Sequence, residues 1–357
     1  MKPIIRNPAE FTPAWLTDTL TKAGALTKGH VSNLTVETVG TGQLGSVVRL
    51  TPTYEGADEF APNTIIAKLA SVSETSRQTG VAMGVYEAEV RFYQQISRTV
   101  EIRTPRCWFA EFDPTEGWFT LLFEDLGAYS VGNVIEGGTV EQARLALQQL
   151  VRLQEPRWND PSLLDLPWLA DQRRTVGLFS LFPGALDGFS KTFAPLIDPE
   201  LIRLAERVVP RSVEYISRLD GPRVIQHGDY RLDNMLFGHD SDHSPLIVVD
   251  WQTVRLGSPM VDAAFYLGAG LSTELRQRHE QELIRDYHEQ LLAMGVKDFS
   301  WQACWDGYRL HALYGFFMAV GTSMLVQQNE RGLAMYKASL ERHGAHVLEL
   351  NAEALFN

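Results

Sequence analysis

His227 and Asp229 stand two residues apart in the run His227-Gly-Asp-Tyr-Arg-Leu-Asp-Asn234, and Asn234 follows Asp229 by five, which is the spacing H-x-D-x-x-x-x-N. A later carboxylate, Asp250, closes the apolar run 246–249 just before Trp251. Between His227 and Asp262 there are six Asp, no Glu or Lys, and only Arg231 and Arg255, so the stretch attracts cations. Oxygen donors from one Asn and one Asp, Asn234 and Asp250, suit Mg2+ that keeps water and phosphate oxygens in its shell. Asp229 lies outside that pair and is then free to accept a proton. Turn chemistry accounts for any single Asp here. It does not account for a carboxylate that ends an apolar strand, because a desolvated carboxylate needs a cation.

Upstream, Gly40, Gly42 and Gly45 fall in Gly40-Thr-Gly-Gln-Leu-Gly45-Ser-Val47, the pattern G-x-G-x-x-G-x-V. A dinucleotide loop would open a helix at its third glycine, yet residues 46–52 are β-branched and stopped by Pro52. The segment is expected to form a strand-turn-strand flap whose glycines let backbone amides approach phosphate; a plain hairpin turn is the alternative. Lys68 sits in the apolar run 65–70, on the face that alternation shares with Ile66 and Ala70. Its ammonium needs a partner, unless it is an edge-strand lysine that discourages aggregation. Glu89 lies within the apolar stripe of Val85, Phe92 and Ile96 and is the expected counter-ion, with Glu87 as the fallback and a solvated helix face as the alternative for either.

The elements that must position these groups are legible as periodicities. Strand-like runs at 34–40, 46–52, 64–70, 108–112 and 118–124 are interrupted by one helix over 85–96. After Gly127 helical patterns take over at 139–153, 200–219, 273–294, 301–326 and near the C-terminus; Thr139 followed by Gln142 is a capping-box signal. Short strands at 223–225, 235–237 and 246–249 interrupt the helices, and the turn-rich residues 238–245 make the last two a hairpin. That hairpin would bring Asp250 beside Asp233 and Asn234. The expected organisation is two lobes, 1–125 and 126–357, with the boundary near Asp125 to Gly127.

With 45% hydrophobic and 21% charged residues over 357 positions, the chain has the composition of a folded globular protein. A net charge of -12 is the wrong sign for a nucleic-acid or anionic-membrane partner. Cys107 and Cys304 form neither a disulfide framework nor a zinc motif. Pro3, Pro8, Pro13 and Glu10 do not read as a signal peptide, and the apolar stretch 313–326 suits a buried helix better than a membrane span. The expectation is a cytoplasmic protein.

Taken together, the glycine pattern, the strand lysine, the helix glutamate, H-x-D-x-x-x-x-N and the later Asp resemble the protein-kinase-like fold. The wording around His227, Val-Val-Asp250-Trp-Gln and Gly257-Ser-Pro-Met-Val-Asp262 is similar to its small-molecule branch: aminoglycoside phosphotransferases, choline kinases and especially ecdysteroid-kinase-like phosphotransferases. The resemblance spans residue 34 to the C-terminus. It implies an α+β fold, with a small antiparallel-sheet N-lobe carrying one helix and binding nucleotide, and a larger, mainly helical C-lobe carrying catalysis and the acceptor. It further implies ATP and Mg2+ as cofactors, Asp229 as catalytic base, and Asn234 and Asp250 as metal ligands. Lys68, paired with Glu89, would contact the α/β-phosphates, and Gly40, Gly42 and Gly45 would close over them. Backbone groups of Glu124 and Leu126 would read the adenine edge.

Asp262 corresponds in relatives to an aspartate that supports the catalytic loop; the sequence itself places it in the first turn of a helix capped by Ser258 with Pro259 at the first position. Trp251 and Gln252 stand where protein kinases have Phe-Gly. Gln154 occupies a place where many relatives carry histidine, and a loop around 54–62 lengthens the stretch between Gly45 and Lys68. The implied activity is transfer of the ATP γ-phosphate to a hydroxyl of a small molecule, a sterol-like or other apolar alcohol by analogy, with an aminoglycoside-like antibiotic or amino alcohol as the other acceptor classes. The rival is a catalytically silent, nucleotide-binding pseudokinase module. An aromatic stripe through Trp301, Trp305, Tyr308 and Ala312 reads either as core or as the wall of an acceptor pocket.

Overall fold

A computed structural model describes residues 4–41, 44–218, 221–239, 244–325 and 329–356. The chain forms two compact units. The first comprises Met1–Arg98, Thr104–Tyr129 and Val249–Thr253; the second comprises Thr99–Arg103, Ser130–Val248 and Val254–Asn357. The α+β division expected from the sequence holds, with an antiparallel sheet early and helices dominating afterwards.

In the first unit the order is α1 (Pro13–Lys22), β1 (His30–Thr41), β2 (Gly45–Glu55), β3 (Ile65–Ala70), α2 (Glu74–Ala82), α3 (Val85–Arg91), β4 (Cys107–Phe112) and β5 (Phe119–Glu124). The strands pair antiparallel in the order β1-β2-β3-β5-β4, so β3 is interior and Lys68 is no edge lysine. Alternation along β3 buries Ile65, Ala67 and Leu69 in a cluster with Trp15, Leu16 and Leu20 of α1, and leaves Lys68 on the opposite face. One helix was expected among these strands; α1 and α2 are additional. Helix α1 starts as chemistry dictates, with Pro13 in its first turn and Thr12 Oγ1 accepting from Trp15 N. Helix α2 is capped by Ser73 and carries a weak apolar stripe; its Gly80 is required because a Cβ there would meet the Tyr86 ring at 2.3 Å. The helix over 85–96 is present, and its last turn, Phe92–Ile96, is π-helical.

The second unit runs β6 (Ser130–Val131), α4 (Val140–Gln154), α5 (Pro167–Ala170), α6 (Arg173–Ser180), α7 (Phe182–Phe193), α8 (Pro199–Val208), α9 (Ser212–Ile216), β7 (Val224–Gln226), β8 (Met235–Phe237), β9 (Leu246–Val248), β10 (Arg255–Gly257), α10 (Met260–Gly270), α11 (Thr273–Ala293), α12 (Trp301–Ser323), α13 (Glu330–Glu349) and α14 (Ala352–Phe356). The Thr139–Gln142 capping box that opens α4 is fully formed. The helix expected over 200–219 is instead split by a 3-10 turn, Val209–Arg211, because Pro210 cannot continue the ladder; residue 219 lies outside the described residues. Helix α12 ends at Ser323, and residue 326 also lies outside the described residues. Strands β8 and β9 pair in the expected hairpin, Met235 with Val248 and Phe237 with Leu246.

The aromatic stripe of α12 is packing. Trp301 stacks on Trp305 at 5.7 Å and Trp305 on Tyr308 at 5.3 Å, Arg285 covers Trp301 at 3.9 Å, and Tyr308 and Ala312 are buried. No helix among the described residues is long and apolar enough to cross a membrane.

Candidate active site

In the first unit, Lys68 is held by two carboxylates. Its Nζ lies 2.9 Å from Glu89 Oε1 and 2.8 Å from Oε2, and 3.2 Å from Asp250 Oδ1. Glu87 instead lies 4.0 Å from Arg91, one turn further along α3, so the open choice between the two glutamates falls to Glu89. Burial lowers the Lys68 pKa, but Asp250 and Glu89 outweigh it and hold the ammonium above its ordinary value. Burial pushes the Glu89 carboxyl up, Lys68 pulls it down, and the charge of Asp250 adds to the upward push. Asp250 has a left-handed backbone, φ 66°, which Asp tolerates better than most residues and which turns the chain sharply at the end of an extended run. Next to it, the Trp251 ring stacks on Phe92 of the π-turn at 3.8 Å and within 4° of parallel, which fastens residues 249–253 to α3.

Gly40 and Gly45 lie on the antiparallel pair β1 and β2, with Gly40 paired to Val47; Gly42 lies outside the described residues. Gly45 has its own local reason. A Cβ there would meet the Leu69 carbonyl oxygen of β3 at 2.5 Å, so the third glycine is required by sheet packing whatever else it does. At the end of β5, Glu124 donates its amide to the Arg106 carbonyl at 3.0 Å, and the Leu126 carbonyl accepts from Tyr129 N. Arg49, unremarked in the sequence, binds Asp125 through Nε at 2.6 Å, and Asp125 Oδ1 accepts from Gly127 N, which ties down the segment between them.

In the second unit, the loop after β7 is built around Asp229. Asn234 donates Nδ2 to the Asp229 carbonyl at 2.8 Å and to its Oδ2 at 2.9 Å, and Arg231 Nε donates to the same Oδ2 at 3.2 Å. Both donors converge on Oδ2, and Oδ1 makes no hydrogen bond among the described residues. The Asn234 nitrogen is thereby committed to Asp229. Asp229 holds the Arg231 guanidinium above its usual pKa, and Arg231 Nη1 rests against Met335 Sδ at 3.3 Å.

The fully buried Asp262 carboxylate accepts the amides of His227 at 2.7 Å and Gly228 at 3.0 Å. Burial raises its pKa, against the lowering pull of His227, the two amides and Arg255. The Ser258 cap expected for its helix is not formed as such. Pro259 occupies the cap position, and Ser258 Oγ accepts from Met260 N at a long 3.5 Å, so Asp262 serves the loop and not only the helix end. Gln154 is wholly buried, donating to the Pro259 carbonyl at 3.1 Å and accepting from the Tyr287 hydroxyl.

Among the described residues no cluster of three or more His, Cys, Asp or Glu could hold a metal ion. Asn234 of the second unit and Asp250 of the first each carry a side-chain oxygen of the kind that hard cations accept.

A model of the ecdysteroid kinase-like family matches residues 180–297. Choline kinase from Cryptosporidium parvum Iowa II is 13% identical, covering 91% of this chain and 94% of its own with a TM-score of 0.55. The GDP complex of aminoglycoside 2'-phosphotransferase-IIIa is 14% identical, covering 94% and 99% with a TM-score of 0.51. Ethanolamine kinase from Plasmodium vivax is 12% identical, covering 87% and 82% with a TM-score of 0.51. No curated protein matches the chain by sequence. The protein-kinase-like fold expected from the motifs is borne out, and the family model matches about a third of the chain.

Proposed function

We propose that the chain is a small-molecule kinase that moves the γ-phosphoryl group of ATP to a hydroxyl of an alcohol. One observation carries the reading. Asp229 has one oxygen fixed by Asn234 and Arg231 and the other without a hydrogen bond among the described residues, the arrangement a positioned base needs. Asp229 Oδ1 would orient the acceptor hydroxyl and take its proton as the new P–O bond forms and the bond to the β-phosphate oxygen breaks. Lys68, kept cationic by Glu89 and Asp250, would bind the α/β-phosphates. The oxygens of Asn234 and Asp250 would hold Mg2+, which when bound neutralises phosphate charge. Gly40, Gly42 and Gly45 would cover the phosphates, and the Glu124 carbonyl and Leu126 amide would read adenine.

An apolar, sterol-like alcohol is the favoured acceptor class. The family model over 180–297 points that way, and a guanidinium 3.2 Å from the proposed base opposes the ammonium of an aminoglycoside or amino alcohol at the same place. The test is a mass-shift screen with ATP and Mg2+ over a library of neutral alcohols, amino alcohols and aminoglycosides. Gain of one phosphate on a neutral alcohol is expected. ATP binding with no phosphate gained by any member would overturn the kinase reading in favour of a silent nucleotide-binding module.

A further inference from the structure

The loop that carries Asp229 is gripped from a second side by a residue that no motif singles out. Tyr314, in the middle of α12, donates its hydroxyl to the Gly228 carbonyl at 2.7 Å, across 86 positions of sequence, in a wholly buried setting. That carbonyl belongs to the peptide unit whose N–H is the Asp229 amide, and the amide donates to His227 Nδ1 at 3.3 Å. The peptide plane leading into Asp229 is therefore fixed at both of its polar ends. The constraint matters because Gly228 sits at φ 84°, where a glycine costs little to rotate and a peptide flip is cheap.

Asp262 fastens the two amides just upstream of that carbonyl, those of His227 and Gly228. Tyr314 is itself held. The Arg255 guanidinium lies over its ring at 5.0 Å while Nε binds Gln226 Oε1 at 2.9 Å, and Phe265 packs on the ring edge to face at 5.4 Å. Among the described residues, Arg255 Nη2 is buried with no hydrogen-bond partner. Burial also raises the Tyr314 pKa, so its hydroxyl remains a donor through the neutral range.

We infer that Tyr314 is a positioning residue, whose hydroxyl locks the Gly228–Asp229 peptide and thereby aims the Asp229 carboxylate. The inference rests on the reading of Asp229 as the base. An error of about 1 Å in the placement of a reacting group costs about a hundredfold in rate, so one hydrogen bond to the backbone can control turnover without touching substrate.

The test is Tyr314→Phe, which keeps the ring among Phe265 and Phe179 and removes only the hydroxyl. Two measurements decide it: amide hydrogen exchange of the segment 224–234, and kcat against KM for ATP. The expected result is exchange at least about tenfold faster in that segment alone, kcat lower by about ten- to a hundredfold, and KM for ATP within about twofold of wild type. Unchanged exchange in 224–234, a rise spread evenly over the second unit, or local loosening with kcat intact each overturn the inference. If the wild type itself transfers no phosphate, the kinase reading falls, while the exchange of 224–234 still decides whether Tyr314 locks the loop.

Discussion

Lys68 Nζ and Glu89 Oε1 meet at 2.9 Å on the interior strand of the sheet, and the glutamate is almost entirely buried there. Removing the ammonium with Lys68→Met leaves the carboxylates of Glu89 and Asp250 facing each other without a cation. The expected loss of stability is about 3 kcal/mol near neutral pH, as for a broken buried pair. The sign of its pH dependence follows from the raised Glu89 pKa. A carboxyl raised in the folded state is most favourable below its unfolded value and loses stability as pH rises toward the folded one. The variant should lose less melting temperature at pH 5 than at pH 8, and an equal loss at both would sink the argument.

Asp229→Asn keeps the contacts to Asn234 and Arg231 within reach but removes the proposed proton acceptor. Phosphoryl transfer should slow by about two to four decades with ATP affinity preserved. Full ATP-dependent phosphorylation by the variant would take the role of base away from Asp229.

Asp250 has a left-handed backbone that alanine resists and asparagine accepts, so Asp250→Asn is the cleaner probe. The variant should fold normally and, on the proposed function, lose the strengthening of nucleotide binding expected from Mg2+, read by titration with and without the metal. Identical metal dependence in variant and wild type would remove Asp250 from the metal site.

Gly45→Ala tests the sheet and not the chemistry. The added methyl would lie 2.5 Å from the Leu69 carbonyl oxygen, a backbone atom that cannot swing aside. A destabilisation of about 1–3 kcal/mol in chemical unfolding is expected, and a neutral effect would show that β2 and β3 can part there without penalty.

In the helical unit, His343 and His346 are buried and His311 is half-buried, and all three are held as neutral rings. Burial lowers the pKa of His311 to about 4 and of His343 to about 3, and holds that of His346 well below its ordinary value. A histidine whose folded pKa is depressed contributes stability that is complete above the unfolded value of about 6.5 and is lost as pH falls below it. Each ring can add up to about 1.4 kcal/mol per pH unit to the decline. Melting temperature should drop between pH 6.5 and 4.5, and His343→Leu should flatten that drop. A slope unchanged by the substitution would exclude His343 as a source of acid sensitivity.

Much of the fold was legible because it is written in neighbouring residues. Alternation in residues 65–70 makes β3 and assigns Lys68 to the face opposite Ala67, and the Thr139–Gln142 pair opens α4 from within its own first turn. Strands β8 and β9, on either side of a turn-rich stretch of sequence, pair as the hairpin expected there. Helix α2 was harder to see, because its start is marked by a lone Ser73 and its buried face by a glycine under Tyr86.

The residue types and spacing alone determined which side chains could do chemistry: Lys68, Asp229, Asn234 and Asp250 are each recognisable from a few adjacent positions. Only the tertiary structure decided who holds them. Glu89 over Glu87, Arg49 against Asp125, Arg231 against Met335 and Tyr314 on the Gly228 carbonyl are choices between chemically equivalent partners tens to more than a hundred residues away along the chain. Local sequence specifies which hydrogen-bonding and charged groups are present, but their pairing is settled by packing, because a buried donor or charge must take whichever partner the fold brings within about 3 Å.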